Sequence, residues 1–545
     1  MLRRYLALVL LVAVSLGLHQ SLCVECTKIY FLSYDPSTHS GSVVEATLCV
    51  SKRSELNVSI LGVSASPSVA SSFIIATLAL HTLCSIPINA TTVYVYLPKT
   101  KISGPSGGLA YALGILEIYD LFKPGKNWSA SGILSIDGFV DPVGALKEKI
   151  DAAKRFGIEL VYVPAINPPT YNVSGVEIRR IHTLLDVVPC SNATNAKLEV
   201  DEELLSKVNE VFRRAAKDFL AKIERLRIED EWILRARSLV EKLLAENHSY
   251  SAASLGYATY IRILEQNLSR AEERELERIV DEASNVCSSA WSNLTKIRSL
   301  SMHAIPVLVT LLDRIKECEF FVDRFGEEWM RRAPKALLVE LAVRAYGRSS
   351  TLTTWFEVLR VANESGGPYL AMRRVLDASL RVLEMVSKSI ELNASYAPLS
   401  LLTIAQLRSS LASALGDREV VDKLRTLLHV LAKRSDSRTL LVPYLYAVYA
   451  DDLAQVAPEL WNVSRIEVET HFYSLATLVL GTSLAIETLL EEHQSIATHA
   501  PNLKIVALSS ISVALVAMLT TFYVVEERSS SRSTRSSFNT SIQRV

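Results

Sequence analysis

Hydrophobic and polar positions follow two rhythms along this chain, and the change falls near residue 200. Before it, short β-rich runs at 28–32, 43–50 and 92–97 are separated by Ser, Pro and Gly, the pattern of strands bounded by turns. Helical periodicity occupies 69–84, 107–121 and 144–156. A further strand over 160–163 leads into the loop 164–169. Residues 26 to about 190 therefore read as an α/β unit. From Asp201-Glu202-Glu203 onward the pattern is that of amphipathic helices up to about residue 500, with breaks near 247–251, 365–368, 397–398, 436–437 and 500–501. No fixed repeat period emerges.

Three stretches are apolar without amphipathic relief. At the N-terminus Arg3 and Arg4 precede an apolar run over 5–18 and then Ser21-Leu22-Cys23, the layout of a secretory signal peptide, with an uncleaved anchor as the alternative. Residues 505–525 carry no charge and, at about 1.5 Å per residue, just cover a hydrocarbon core of about 30 Å. The tail beyond holds Arg528, Arg532, Arg535 and Arg544 against Lys504 alone before the span, which places the tail in the cytoplasm. The third stretch, 472–486, runs into Glu487, Glu491 and Glu492 and is expected to be a buried helix.

The chain has 545 residues, too many for one ordinary core, and its 58 Lys+Arg balance its 58 Asp+Glu. That balance offers nothing to nucleic acid. Asn-x-Ser/Thr sites before the span stand at Asn57, Asn89, Asn127, Asn172, Asn192, Asn247, Asn267, Asn293, Asn363, Asn393 and Asn462, which together point to an exported, glycosylated surface. Of the seven cysteines, cleavage after Cys23 would leave Cys26, Cys49, Cys84, Cys190, Cys287 and Cys318, compatible with disulfides outside the cell in pairings that spacing does not decide. The histidines of the helical part are scattered without metal-ligand spacing. Neither a metal nor a cofactor is expected.

Lys149 breaks the pattern of its helix. At about 100° per residue, Ala145, Leu146, Ile150, Ala152, Ala153 and Phe156 share one arc, and Lys147, Glu148, Asp151, Lys154 and Arg155 face the other way. Lys149 falls inside the apolar arc. Desolvation there favours the neutral amine, the form a general base needs, although a snorkelling stem is the alternative. Ser106 sits in Gly104-Pro105-Ser106-Gly107-Gly108, a tight turn opening a helix. Backbone N–H groups there could hold an oxyanion, or the serine could simply cap the helix.

Together with Ser131-Gly132-Ile133-Leu134-Ser135-Ile136-Asp137-Gly138 and Val143-Gly144-Ala145-Leu146-Lys147-Glu148-Lys149, these residues resemble the proteolytic domain of the Lon protease family. The resemblance implies a serine–lysine peptidase with Ser106 as nucleophile and Lys149 as base. Ser131, where the family carries a threonine, would position the lysine. Gly104, Pro105 and Gly107 would shape the turn. The chain departs from the family at Ser103, which replaces an acidic residue, at Ile133 in place of a glutamate, and at Thr92 and Tyr94 in place of histidines. No G-x-x-x-x-G-K-[ST] motif for an ATP-driven motor occurs.

The expected architecture is a signal peptide (1–23), a Lon-like α/β proteolytic domain (26–195), an all-α extracytoplasmic region (201–500), one transmembrane helix (505–525) and a cytoplasmic Ser/Arg-rich tail (526–545). The expected function is ATP-independent cleavage of unfolded polypeptides or peptides outside the cell by a membrane-anchored enzyme. Export, anchoring and this fold together suggest an archaeal form, and the resemblance adds homo-oligomeric assembly, since related domains form rings. The competing expectation is a catalytically decayed surface glycoprotein using the same fold for binding or adhesion.

Overall fold

The computed structural model describes residues 24–52, 57–61, 65–87, 91–97, 102–167, 173–188, 190, 198–226, 230–389, 418–456, 458 and 463–497. The expected signal segment 1–23, span 505–525 and tail 526–545 lie outside them, as do Asn89, Asn172, Asn192, Asn393 and Asn462 and the expected breaks at 397–398 and 500–501.

Strands β1 (Val24–Asp35) and β2 (Ser40–Lys52) form a long antiparallel hairpin. Cys26 stands opposite Cys49 in its register, and the two are joined by a disulfide. β2 pairs antiparallel with β4 (Thr91–Tyr96), which pairs parallel with β3 (Asn57–Leu61). On its other edge β1 runs parallel to β5 (Trp128–Ala130), β5 to β8 (Leu160–Pro164), and β8 to β9 (Glu177–Ile181). The order β3-β4-β2-β1-β5-β8-β9 thus has antiparallel pairing at β4-β2-β1, with parallel pairing from β1 to β9 on one side and at β3-β4 on the other. Every residue of β8 is buried, as expected of a parallel strand covered on both faces. A small antiparallel pair, β6 (Ile133–Leu134) and β7 (Val140–Asp141), projects from this sheet.

Helices α1 (Pro67–Cys84) and α2 (Gly108–Ile118) pack together, and α2 lies on the sheet face that carries Ile29 and Leu48, both fully buried. Helix α3 (Leu146–Phe156) covers the opposite face, where Ile150 and Ala153 meet Leu32, Val161 and Val163. Each of the leucine, isoleucine and valine side chains contributes roughly 1.5–3 kcal/mol by leaving water. Phe156 is the exception on the predicted apolar arc of α3. It is 46% exposed, its ring 5.4 Å from that of Tyr30.

The helical part begins where Asp201 caps α4 (Glu202–Arg225), its carboxylate accepting from Leu204 N–H. It continues through α5 (Glu231–Ala245), α6 (Ser249–Arg270), α7 (Glu273–Lys296), α8 (Ile305–Met330), α9 (Lys335–Glu364), α10 (Met372–Ser389), α11 (Arg418–Ala432), α12 (Leu441–Val456) and α13 (Val463–Ala497). A short ladder of β10 (Ser299–Ser301) and β11 (Tyr369–Ala371), not expected from the periodicity, clamps the α8–α9 hairpin at its base. A disulfide between Cys287 and Cys318 links α7 to α8, and one between Cys84 and Cys190 ties the end of α1 to the end of the α/β part.

Helices α10 and α11 pack on α1. Lys423 on α11 pairs with Asp186 at 2.5 Å, Glu419 approaches His182 at 3.6 Å, and the Arg434 guanidinium donates to the carbonyls of Thr82 and Cys190. Being covered on two sides explains why α1 is apolar nearly all round. Two stretches, 67–84 and 465–489, are long and apolar enough to cross a membrane, yet 72% of each is buried within the protein. The second contains the apolar stretch 472–486.

Candidate active site

Ser106 is placed by backbone geometry. Gly104 adopts φ 92°, a conformation that side chains rarely tolerate, and Pro105 then opens the 3-10 turn Pro105–Gly107. Gly107 rests against the Phe31 ring, and α2 follows at once. No side-chain capping bond is made at the turn or at the start of α2, so the half-buried Ser106 does not serve as the helix cap. Its carbonyl accepts from Gly132 N–H at 2.9 Å, and Leu109 N–H donates to Gly132 C=O at 3.2 Å. A side chain at Gly132 would lie 2.6 Å from Val140, so glycine is what allows the two segments to be stitched this closely. Ser131, fully buried beside it, is held through its own N–H on the Tyr162 carbonyl.

Lys149 comes from the other face. Ala145, at φ 53°, turns the chain into α3, and its carbonyl accepts from Lys149 N–H. The lysine side chain is 5% exposed. Its Nζ lies 3.2 Å from Ser106 Oγ and 3.3 Å from Ser131 Oγ. Among the described residues no carboxylate pairs with it, and burial lowers its pKa from 10.5 to about 8. The amine is therefore not snorkelling to water, whereas Lys147, two residues before it, is exposed.

Ser106 and Lys149 share the wall of a cavity of about 440 Å³ with Phe31, Val69, Phe73, Ile133 and Val143. Ser103 is exposed at its rim. The 142–144 segment that borders the cavity is fixed by Asn167, whose side-chain amide donates to Val143 C=O at 2.9 Å and accepts from Val143 N–H at 3.0 Å. Nothing in the local sequence marks Asn167, since its partner lies 24 residues away.

The glycosylation candidates among the described residues lie in varied settings. Asn127, Asn247, Asn267 and Asn293 are exposed, and Asn57 opens β3. Asn363 is half-buried, its side chain bonded to the backbone of Ser301 and Ser299. Among the described residues, no group of three or more His, Cys, Asp and Glu is placed to hold a metal.

Residues 43–196 match the Lon protease (S16) C-terminal proteolytic domain. Similar proteins include the archaeal Lon protease of Methanocaldococcus jannaschii, 31% identical over 107 residues that cover 19% of this chain and 16% of the relative. The Lon protease of Acinetobacter baumannii is 32% identical over 107 residues (18% and 13%), and that of Citrifermentans bemidjiense is 32% identical over 137 residues (24% and 17%). The chain thus spans less than a fifth of the length of these curated relatives. The likeness lies within the α/β part, where Ser106, Ser131 and Lys149 meet.

Proposed function

We propose that the protein is an ATP-independent serine endopeptidase, anchored in a membrane by residues 505–525 with its catalytic domain outside the cytoplasm. The observation that carries the chemistry is the 3.2 Å approach of a buried, carboxylate-free Lys149 amine to Ser106 Oγ. In its neutral form the amine takes the Ser106 proton as Oγ attacks the scissile carbonyl. It returns that proton to the leaving amine, and a water activated in the same way releases the acyl group. Ser131 orients the amine. The backbone N–H groups of Ser106 and Gly107, in the turn before α2, would hold the developing oxyanion. The apolar cavity wall suits an apolar side chain of an extended peptide.

The location rests on other features. Three disulfides join all six cysteines among the described residues, which suits an oxidising compartment. The Asn-x-Ser/Thr sites and the charge bias around 505–525 favour the same side of the membrane. Independence from ATP follows from the missing phosphate-binding motif, and an archaeal origin and homo-oligomeric assembly stay part of this reading.

The test is hydrolysis of casein and of peptide libraries by the purified full-length chain without nucleotide. Turnover should vanish in both Ser106→Ala and Lys149→Ala. Activity that survives both substitutions would refute the assignment, and a folded protein with no turnover would favour the binding-only alternative.

A further inference from the structure

A second cavity, of about 360 Å³, lies inside the helical part, where α4, α6, α8, α9, α12 and α13 converge. Its walls are aromatic: Phe212, Tyr250, Trp355, Tyr446, Tyr449 and Tyr473. Tyr250 sits at the centre of the group, its ring 4.8 Å from Phe212, 5.9 Å from Tyr446 and 6.0 Å from Tyr449. The size is that of a small-molecule site rather than of a packing defect.

Two of the ionisable groups in this wall, Asp313 and Arg314, form no close ion pair among the described residues and each keeps a buried polar atom without a hydrogen bond. Asp313 makes no ion pair among the described residues, and its Oδ1 is buried without a hydrogen-bond partner. Its neighbour Arg314 lays its guanidinium over the Trp355 ring at 5.1 Å and reaches only Thr351 Oγ1, at 3.4 Å. Its Nε is buried and unbonded. The adjacent Arg348 is already committed to Glu317, at 2.5 and 2.9 Å, and Glu469 at the rim is committed to Arg465 at 3.0 Å. Burial and then the nearby Glu317 push the Asp313 carboxyl well above the usual carboxylate range against the pull of Arg348 and Arg314, so an arriving cation would favour its ionised form. A buried acid oxygen and a buried guanidinium nitrogen left without hydrogen bonds in one aromatic wall are costly unless an incoming molecule completes both.

We infer that this cavity is a binding site for a small zwitterion with an apolar side chain, an α-amino acid or dipeptide, whose ammonium meets Asp313, whose carboxylate meets Arg314 and whose side chain enters the aromatic cage. Ammonium groups gain further from the tyrosine and tryptophan faces. The site is separate from the serine–lysine cavity in its lining residues, and the inference does not rest on the peptidase reading.

The experiment titrates the full-length chain, by calorimetry and thermal shift, with phenylalanine, leucine and the dipeptide Phe-Leu. Parallel titrations use phenethylamine, which lacks the carboxylate, 3-phenylpropionate, which lacks the ammonium, and lysine, whose side chain is wrong. At least one zwitterion should bind saturably, and each singly charged analogue should bind about tenfold or more weakly. Asp313→Asn should erase the preference over 3-phenylpropionate, and Arg314→Gln the preference over phenethylamine. The proposal is overturned if no zwitterion binds, if a singly charged analogue binds as well, or if both preferences survive the substitutions. Should a substituted chain fail to fold, the ligand series on the unsubstituted protein decides the matter alone.

Discussion

The Lys149 amine reaches Ser131 Oγ across 3.3 Å while standing 3.2 Å from Ser106 Oγ, so the second serine fixes the direction from which the amine meets the first. Losing that bond should cost roughly 1–2 kcal/mol of orientation, about a 5- to 30-fold fall in kcat. Ser131→Ala should show this fall with KM little changed, and Ser131→Thr should retain most of the rate. Because Ser131 accepts more strongly from an ammonium than from an amine, Ser131→Ala should also move the acidic limb of the pH–rate profile to lower pH. A purely structural serine would leave that midpoint in place.

Activity should follow the deprotonation of Lys149. Its pKa lies near 8, so kcat/KM should rise with pH along a one-proton limb with a midpoint there, and Lys149→Arg should be inactive at every pH. Stability carries the same signature. The folded-state pKa is below the unfolded value of 10.5, so between about 8 and 10.5 the unfolded chain binds more protons and stability rises with pH. Below about 8 the full cost of the buried amine is present, with a ceiling of about 3 kcal/mol. Lys149→Met should therefore abolish turnover yet raise Tm at pH 7, and its advantage should shrink as pH approaches 10.5. Thermal unfolding of both proteins across pH checks the sign.

Much of this site was legible because it violates local rules. Lys149 is a charge on an apolar arc, and Gly104-Pro105 before Ser106 is turn chemistry without another evident purpose. Strands β1, β2, β4 and β8 and the three helices of the α/β part follow from the local pattern, whereas the short β3, β5 and β9 are not among the expected strands, and Asp201 announces α4 as an acidic cap. Contacts between distant segments stayed hidden. The Cys84–Cys190 pairing, the β10–β11 ladder and the seat of Lys423 on Asp186 each need a partner that no local window contains. Phe156 joined the apolar arc by angle but is 46% exposed at the last residue of α3, and period says nothing about what a helix end meets. The aromatic cavity was invisible for the same reason, since its walls come from six helices, of which α13 read only as a buried apolar stretch and the others as ordinary amphipathic segments.

Asn167 is expected to be the positioning residue of this site. Its amide closes a reciprocal pair of bonds on Val143, at 2.9 and 3.0 Å, and holds the 142–144 segment that borders the cavity ahead of Ala145 and α3. Asn167→Ala would leave the N–H and the C=O of a buried residue unpaired, at roughly 1–3 kcal/mol each. Its effect should appear in both KM and kcat, because the segment frames the substrate cavity and also sets the start of the lysine helix. Asn167→Asp keeps the acceptor for Val143 N–H but faces the Val143 carbonyl with a carboxylate, so it should be no better than alanine. Asn167→Gln, whose longer stem misplaces the amide, should fall between wild type and alanine. Peptide hydrolysis measured alongside thermal unfolding decides: if all three substitutions lower Tm but leave kcat and KM unchanged, Asn167 stabilises the loop without positioning the site.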